Sequence, residues 1–200
     1  MSAQELRDEL MTLLVAGHET TASTLAWTFE RLVRLPKVLA RLTDEVAGSD
    51  GDAYITATVQ EALRRRPVLP NAAPRLVKRP VEVGDWSYPT DVCLVPNAYL
   101  LHHDPEIYSD PYVFRPERFL DDPPGTYTWI PFGGGRRRCI GASFAMLEMK
   151  IVIRSILDGQ AVEPVAPQPE HARRRNITIT PDAGSRVTVS AAQREPIPTV

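Results

Sequence analysis

The chain has 200 residues, of which 43% are hydrophobic and 24% charged, a composition typical of globular rather than disordered proteins. Its 23 basic and 25 acidic residues give a net charge of −2, which does not suggest binding to nucleic acid or anionic lipid. No stretch of the sequence resembles a membrane-spanning helix or a secretory signal. Because Cys93 and Cys139 are too few for a disulfide framework, we expect a cytoplasmic location.

The 19 prolines divide the chain unevenly. Only Pro36 lies in the first 66 residues, whereas twelve prolines lie between Pro67 and Pro131, none in 132–163, and six after that. Since proline breaks helix interiors, this distribution predicts a helical first third, an irregular middle, a further helix and a loose C-terminal segment.

The spacing of apolar residues predicts four long helices. They cover residues 3–33, 36–46, 54–66 and 143–158. The first would be about 45 Å long, which is unusual for a domain of this size. Its middle, residues 16–21, contains poor helix formers and predicts a local distortion. A turn is expected at 49–52.

Short strands are predicted in the middle and near the end of the chain. They cover residues 75–77, 81–83, 92–95, 177–180 and 187–190. Gly84 and Asp85 are a hairpin signal, and the last two strands are expected to form a terminal hairpin. Residues 97–131 alternate between helical turns and coil, and such long irregular stretches usually have a functional reason.

The most distinctive segment is FGGGRRRCIG, residues 132–141. Glycines permit close approach to a ligand, and neighbouring arginines and a helix start favour the thiolate form of a cysteine. Phosphate-binding patterns do not fit: the loop lacks a Walker lysine, Arg138 replaces the third dinucleotide-loop glycine, and Ala145 replaces a phosphatase-loop arginine. The residues alone allow either a reactive or metal-binding thiol at Cys139 or a solvated basic turn with an inert cysteine.

This segment resembles F-x-x-G-x-R-x-C-x-G, the haem-binding loop of the cytochrome P450 family, at Phe132, Gly135, Arg137, Cys139 and Gly141. The resemblance implies that Cys139 is the axial thiolate of haem b (iron protoporphyrin IX), a ligand that favours O–O cleavage. It also implies that Arg137 pairs with a haem propionate, that Phe132 packs beside the thiolate, and that the glycines make room for the porphyrin.

The segment AGHETT, residues 16–21, resembles the A/G-G-x-D/E-T-T segment of the family's long central helix. The resemblance implies that Gly17 leaves space for dioxygen against the haem and that Glu19 and Thr20 are catalytic residues that relay protons. Without the resemblance, these residues are compatible with an acid on the helix surface and neutral threonines.

The segments EALR at 61–64 and PERF at 116–119 resemble the family's E-x-x-R pair and the arginine that joins it. The resemblance implies a buried structural brace of Glu61, Arg64 and Arg118 that fixes the loop presenting Cys139. Such a buried triad is retained only when it is well satisfied. The sequence also allows a surface ion pair, and a contact of Glu61 with Arg65.

Four further features complete the comparison. Arg75 resembles a second propionate-binding arginine, although an edge-strand arginine fits nearly as well. His102 and His103, in HHDP at 102–105, resemble the family's structural N/H-R/H-D-P turn. A metal site is not expected here, since adjacent histidines seldom converge on one metal ion. Cys93 is expected to be a small buried side chain, and the arginines of 173–175 a solvated run.

The resemblance implies a mainly α fold with small β-sheets: the C-terminal half of the P450 fold, containing the long central helix, the E-x-x-R helix, a proline-rich meander, the cysteine loop and its following helix. Residues 1–190 would form this truncated domain and 191–200 a tail. The implied activity is a haem-thiolate monooxygenase, which inserts one atom of O2 into a small hydrophobic substrate with electrons from a ferredoxin- or reductase-type redox partner. Residues 14–16 and 68–73 would line the pocket wall.

Family members are usually much longer, so a missing N-terminal half is a further expected partner. The apolar faces of the central helix would then associate with it or aggregate. The alternative to an active monooxygenase is a catalytically incompetent remnant, which either binds haem without turnover or only binds a partner. Neither nucleic acid nor a membrane segment is expected.

Overall fold

The structure, a computed structural model, describes residues 1–48 and 51–192 and confirms a mainly helical fold with small sheets. The described helices are α1 Ala3–Leu32, α2 Pro36–Ala47, α3 Ala53–Arg65, α4 Ala98–His102, α5 Arg118–Asp121 and α6 Ala142–Leu157. The four predicted helices therefore match α1, α2, α3 and α6 to within one residue at each end. The turn predicted at 49–52 and the tail predicted at 191–200 lie largely outside the described residues.

Helix α1 begins with a capping box and runs without a break for 30 residues. The Ser2 hydroxyl accepts a hydrogen bond from the Glu5 amide at 3.2 Å, and the Glu5 carboxylate accepts from the Ser2 amide. The distortion predicted at 16–21 is wrong. The Thr20 hydroxyl donates to the carbonyl of Ala16 at 2.7 Å, so this polar side chain is satisfied within the regular helix.

All strands of the described chain pair antiparallel in two-stranded sheets. They are β1 Arg75–Leu76, β2 Val81–Val83, β3 Trp86–Tyr88, β4 Cys93–Leu94, β5 Gln160–Pro164, β6 Ala172–Arg175, β7 Thr178–Pro181 and β8 Val187–Ala191. Strand β1 pairs with β4, and β2 pairs with β3 across the predicted turn, where Gly84 has a φ of +59°.

The predicted terminal hairpin is wrong in its pairing. Strand β7 pairs with β6, whereas β8 pairs with the distant β5. The β6–β7 turn contains Asn176 at a φ of +53°, a conformation that asparagine tolerates better than most residues. The strand pattern correctly placed β7 and β8 but carried no information about their partners.

The hydrophobic core lies between the C-terminal half of α1 and the helices α2, α3 and α6. Its buried side chains are Phe29, Leu32, Leu42, Val46, Tyr54, Ile55, Val59, Leu63, Met149, Ile153, Leu157 and Val162. The indole of Trp27 is also buried and donates to the carbonyl of Ile179 at 3.1 Å, which joins α1 to β7. One half of α1 is therefore anchored from several sides.

The N-terminal half of α1 and one face of α6 have no such cover. The large apolar side chains of this part of α1 are 47–63% exposed: Leu6, Leu10, Met11, Leu13, Leu14 and Val15. On α6, Phe144, Leu147 and Ile151 follow helical spacing and are 52–70% exposed. Contiguous apolar surface of this kind marks an interaction site.

Two histidines anchor the proline-rich stretch between α3 and the cysteine loop. Burial lowers the pKa of His102 to about 3, and the nearby charge of Arg64 contributes. Burial also lowers the pKa of His103 to about 4, together with the charges of Arg65, Arg64 and Arg66. His103 stacks on Tyr99 with ring centroids 4.1 Å apart. Both imidazoles are therefore neutral at pH 7.

Within the described residues, no helix combines the length and apolar character needed to cross a membrane.

Replacing Ile153 with alanine should lower the free energy of unfolding by about 2–5 kcal/mol, because its side chain is fully buried in the core. Ile151 on the same helix is 55% exposed, so Ile151→Ala should change stability by no more than about 0.5 kcal/mol. Chemical denaturation of both variants measures the difference, and equal effects would contradict the assigned core.

Acidification should destabilise the protein before most carboxylates titrate. The unfolded chain binds protons at His102 and His103 near their ordinary pKa of 6.5, whereas the folded chain binds them only near 3 and 4. The contribution of these groups is complete above pH 6.5. It falls by about 1.4 kcal/mol per pH unit for each histidine below about pH 6. Denaturant titrations between pH 7 and 4.5 should show this slope, and His102→Gln should reduce it. An unchanged slope in that variant would contradict the buried neutral state.

Candidate functional site

Residues 132–141 form a closed loop that ends at the start of α6. Gly133 and Gly135 have φ values of +71° and +60°, in the left-handed region where glycine is favoured. The amide of Cys139 donates to the carbonyl of Phe132 at 2.9 Å and closes the loop. The thiol of Cys139 is exposed, and Gly141 caps the helix. The loop therefore presents one accessible sulfur at a helix N-terminus.

Three exposed arginines directly precede Cys139 in the sequence. Arg136, Arg137 and Arg138 form no ion pair with the described residues. Positive charge and a helix N-terminus both stabilise a thiolate. These guanidinium groups are also available for the carboxylates of a ligand.

A buried charge cluster lies beneath the proline-rich stretch. Glu61 and Arg64 are fully buried and 2.7 Å apart, and Arg118, whose side chain is 8% exposed, lies 3.2 Å from the same carboxylate. The Arg115 amide also donates to Glu61, at 2.9 Å. The sequence left open a pair between Glu61 and Arg65. The Arg65 guanidinium instead donates to the carbonyl of Tyr112 at 3.1 Å.

Arg64 also binds the backbone of the proline-rich stretch. Its guanidinium donates to the carbonyls of His102 at 2.5 Å and Pro111 at 2.9 Å. Arg118 donates to the carbonyl of Ser109 at 3.1 Å. Since both the charges and the carbonyls are satisfied, burial of the cluster does not leave an uncompensated charge.

Three hydrogen bonds join residues 128–130, just before the cysteine loop, to α3, to α4 and to the proline-rich stretch. The sequence predicted none of them. The Tyr108 hydroxyl donates to the carbonyl of Thr128 at 2.8 Å, and the Trp129 indole donates to the carbonyl of Gln60 at 3.2 Å. The Ile130 amide donates to Nε2 of His102 at 2.9 Å. Tyr108 and Trp129 were the available signal, because buried Tyr and Trp usually need a hydrogen-bond partner.

The segment with Gly17, Glu19 and Thr20 lies in the exposed half of α1. A β-carbon added at Gly17 would meet no atom within 4 Å. The Glu19 carboxylate lies 4.0 Å from Nε of Arg175 on β6, and both side chains are largely exposed. No hydrogen bond or ion pair among the described residues joins this segment to the Cys139 loop, so the structure does not link the two predicted parts directly.

Other predicted residues have mixed outcomes. Arg75 is exposed on β1, and its guanidinium donates to the carbonyl of Ala73 at 2.6 Å. Cys93 is exposed, so its predicted burial is wrong, because a two-stranded sheet leaves one face of β4 uncovered.

The predicted pocket wall is only partly open. Leu14 is exposed, whereas Val68 is buried and its carbonyl accepts from the Ile179 amide. Val68 therefore does not line an open wall. The run 173–175 is exposed on β6, as predicted.

The donor set fits a haem group. Cys139 offers an accessible sulfur for iron, while Arg137 and Arg75 offer exposed guanidinium groups suited to propionates. The open space at Gly17 allows a flat ligand to approach α1 closely. A β-carbon at Gly141 would lie 3.9 Å from the Cys139 sulfur, so a side chain there would occupy space beside the sulfur.

Comparison with known proteins places the chain in one family. Cytochrome P450 138 of Mycobacterium tuberculosis is 41% identical over 189 residues, which cover 94% of this chain and 43% of that protein. Cytochrome P450 137 of the same species is 41% identical over 193 residues, covering 96% and 40%. The haem domain of a cytochrome P450DA mutant matches with a TM-score of 0.86 at 27% identity, covering 96% of this chain and 45% of that one.

The chain thus spans less than half the length of these relatives. Its match to them nevertheless extends over both the α1 segment and the cysteine loop. The family model described as Cytochrome P450 matches residues 1–185, and the chain belongs to the cytochrome P450 family.

Proposed function

We propose that this chain supplies the haem-thiolate half of a cytochrome P450 monooxygenase, with Cys139 as the ligand of the iron. The observation that carries the proposal is the exposed Cys139 sulfur, held at the start of α6 in a loop closed by its own amide. Members of this family bind haem, and thiolate-ligated haem supplies the activation of dioxygen from which one atom enters an organic substrate.

The residues of the cysteine loop would bind and orient this group. Cys139 would be the thiolate ligand of the iron, whereas Arg137 would pair with one propionate and Arg75 with another. To do so, the Arg75 guanidinium would leave its present contact with the Ala73 carbonyl, which is an exposed and weak interaction. The ring of Phe132 lies edge-on to Trp129 at a centroid distance of 6.0 Å and would face the bound ring system beside the sulfur, while Gly135 and Gly141 would leave room for it.

The α1 segment would hold and move protons. Gly17 leaves space for dioxygen, and the Glu19 carboxylate is exposed enough to exchange protons with water. The Thr20 hydroxyl donates to the Ala16 carbonyl, and its oxygen remains able to accept a proton donor. One oxygen atom enters the substrate and the other leaves as water, so these residues carry two protons while a redox partner supplies two electrons.

The substrate class is a small hydrophobic molecule. Leu14 and Val15 are each 63% exposed next to Gly17, and apolar side chains at this position favour apolar ligands. The redox partner is of the ferredoxin or reductase type that the family uses.

The partner for the remaining apolar surface is an N-terminal half of the P450 fold. The relatives contain more than half of their length outside the region that this chain matches. The exposed parts of α1 and α6 carry apolar side chains that helices of that half would cover.

The same exposed surface favours a second candidate function for the chain when it is isolated. This function is haem binding without turnover, or partner binding alone.

The first test is the spectrum of the reduced, haem-loaded chain with carbon monoxide. Wild type should show the red-shifted Soret band of thiolate-ligated haem, and Cys139→Ala should abolish it. Cys93→Ala is the matched control, since Cys93 is also exposed and should leave the band intact. Persistence of the band in Cys139→Ala, or its absence in wild type, would contradict the proposal. Substrate-dependent consumption of oxygen and electrons then separates turnover from binding alone.

The second test adds the N-terminal half of a 41%-identical relative as a separate chain. The two chains should form a one-to-one complex by size-exclusion chromatography with light scattering, because the exposed apolar faces become buried. Leu10→Lys combined with Leu14→Lys should prevent it, since both side chains lie on one face of α1. Trp86→Lys, at a more exposed apolar residue on β3, should not. Loss of the complex in the Trp86 variant, or its survival in the double variant, would argue against this surface.

A further inference from the structure

His102 contacts both the charge cluster and the segment that enters the cysteine loop. It is the last residue of α4, and its side chain is fully buried. Its carbonyl accepts from the Arg64 guanidinium at 2.5 Å, and its Nε2 accepts from the Ile130 amide at 2.9 Å. One residue thus joins α3 to the chain just before Phe132.

The hydrogen-bond pattern determines the tautomer of this imidazole. A backbone amide only donates, so Nε2 must carry a lone pair and the proton must lie on Nδ1. Nδ1 is buried and has no hydrogen-bond partner among the described residues. The unpaired donor at Nδ1 costs free energy, but a proton on Nε2 instead would leave the Ile130 amide without its acceptor.

Protonation does not compete with this contact at neutral pH. Burial and the charge of Arg64 lower the pKa of His102 to about 3. Nε2 therefore remains an acceptor. The aromatic ring of Tyr108 lies edge-on to the imidazole at a centroid distance of 6.3 Å.

The link continues from Ile130 to the sulfur-bearing residue. Phe132 lies two positions after Ile130, and its carbonyl accepts from the Cys139 amide at 2.9 Å. No hydrogen bond in the described part of the chain runs directly from Glu61, Arg64 or Arg118 to residues 132–141. Tyr108 makes a parallel link to Thr128, but His102 acts two residues closer to the loop.

We infer that His102 is a positioning residue: the hydrogen bond from the Ile130 amide to its Nε2 sets where the Cys139 loop lies relative to α3. In this way the charge cluster acts on the loop through His102 rather than by direct contact. The inference deepens the proposed function and rests on Cys139 as the haem ligand, whereas its first test requires no haem.

The experiment compares His102→Gln with His102→Leu in the full chain. The glutamine amide oxygen can reach close to the position of Nε2 and accept the Ile130 hydrogen bond, whereas leucine has similar bulk and accepts nothing. Amide hydrogen exchange without haem is read at Ile130 and Cys139. We expect about ten-fold faster exchange at both amides in His102→Leu and near wild-type exchange in His102→Gln.

Two controls make the exchange result specific. The Ile153 amide in the core should stay protected in every variant, which establishes that the chain is folded. If His102→Leu loses that protection, His102→Met replaces it as the variant without an imidazole acceptor. Trp129→Phe removes the indole bond to Gln60 but leaves His102 in place, so it should not accelerate exchange at Cys139.

The results distinguish failure of this inference from failure of the proposed function. Unchanged exchange in the folded leucine variant, or faster exchange at Ile130 alone, would overturn the role of His102 whether or not haem binds. In the haem-loaded chain, the reduced carbon monoxide complex should lose part of its red-shifted band in His102→Leu and keep it in His102→Gln. Where wild type shows the band, equal bands in the two variants would also overturn the inference. A wild-type chain without the band would overturn the proposed function and leave the exchange result to decide the role of His102.

Discussion

The buried ion pair of Glu61 and Arg64 is the constraint on which the rest of the structure depends. Both side chains are fully buried, and charges at such depth are tolerated only when every hydrogen-bonding group has a partner. One carboxylate and one guanidinium on a single helical turn cannot satisfy each other completely. The remaining partners come from elsewhere: Arg118, the Arg115 amide and the carbonyls of the proline-rich stretch. Helix α3 therefore requires that stretch to pack over it.

The same contacts explain how a proline-rich segment becomes ordered. Proline has no amide donor, so a proline-rich segment cannot form the regular backbone hydrogen bonds of a helix or sheet. Its carbonyls therefore need donors from other residues. Arg64, Arg65 and Arg118 supply them from α3 and α5. The ordered segment then carries His102 and Tyr108, which hold the chain leading to the cysteine loop. The proline excess of the sequence is thus a feature of the scaffold that positions a thiol.

Helix α1 combines two environments in one continuous element. Its C-terminal half contributes Phe29 and Leu32 to the core, while its N-terminal half is exposed on all sides. Gly17, Glu19 and Thr20 lie near the border between them. Because the C-terminal half of α1 is packed in the core, it fixes the position of these three residues relative to the rest of the fold. The exposed N-terminal half carries an apolar surface. The relatives are more than twice as long as the matched region, and we propose that their additional chain covers this surface.

The sequence by itself determined the four longest helices, five of the eight described strands and the identity of the chemical groups, because these depend on local spacing, on proline and on short motifs. The bounds of α1, α2, α3 and α6, the three members of the charge cluster and the cysteine loop could all be predicted. Only the tertiary structure decided that β8 pairs with β5, that Cys93 is exposed, and that His102 receives the Ile130 amide. Each of these depends on which distant segments come together and what they cover, and local periodicity carries no information about that.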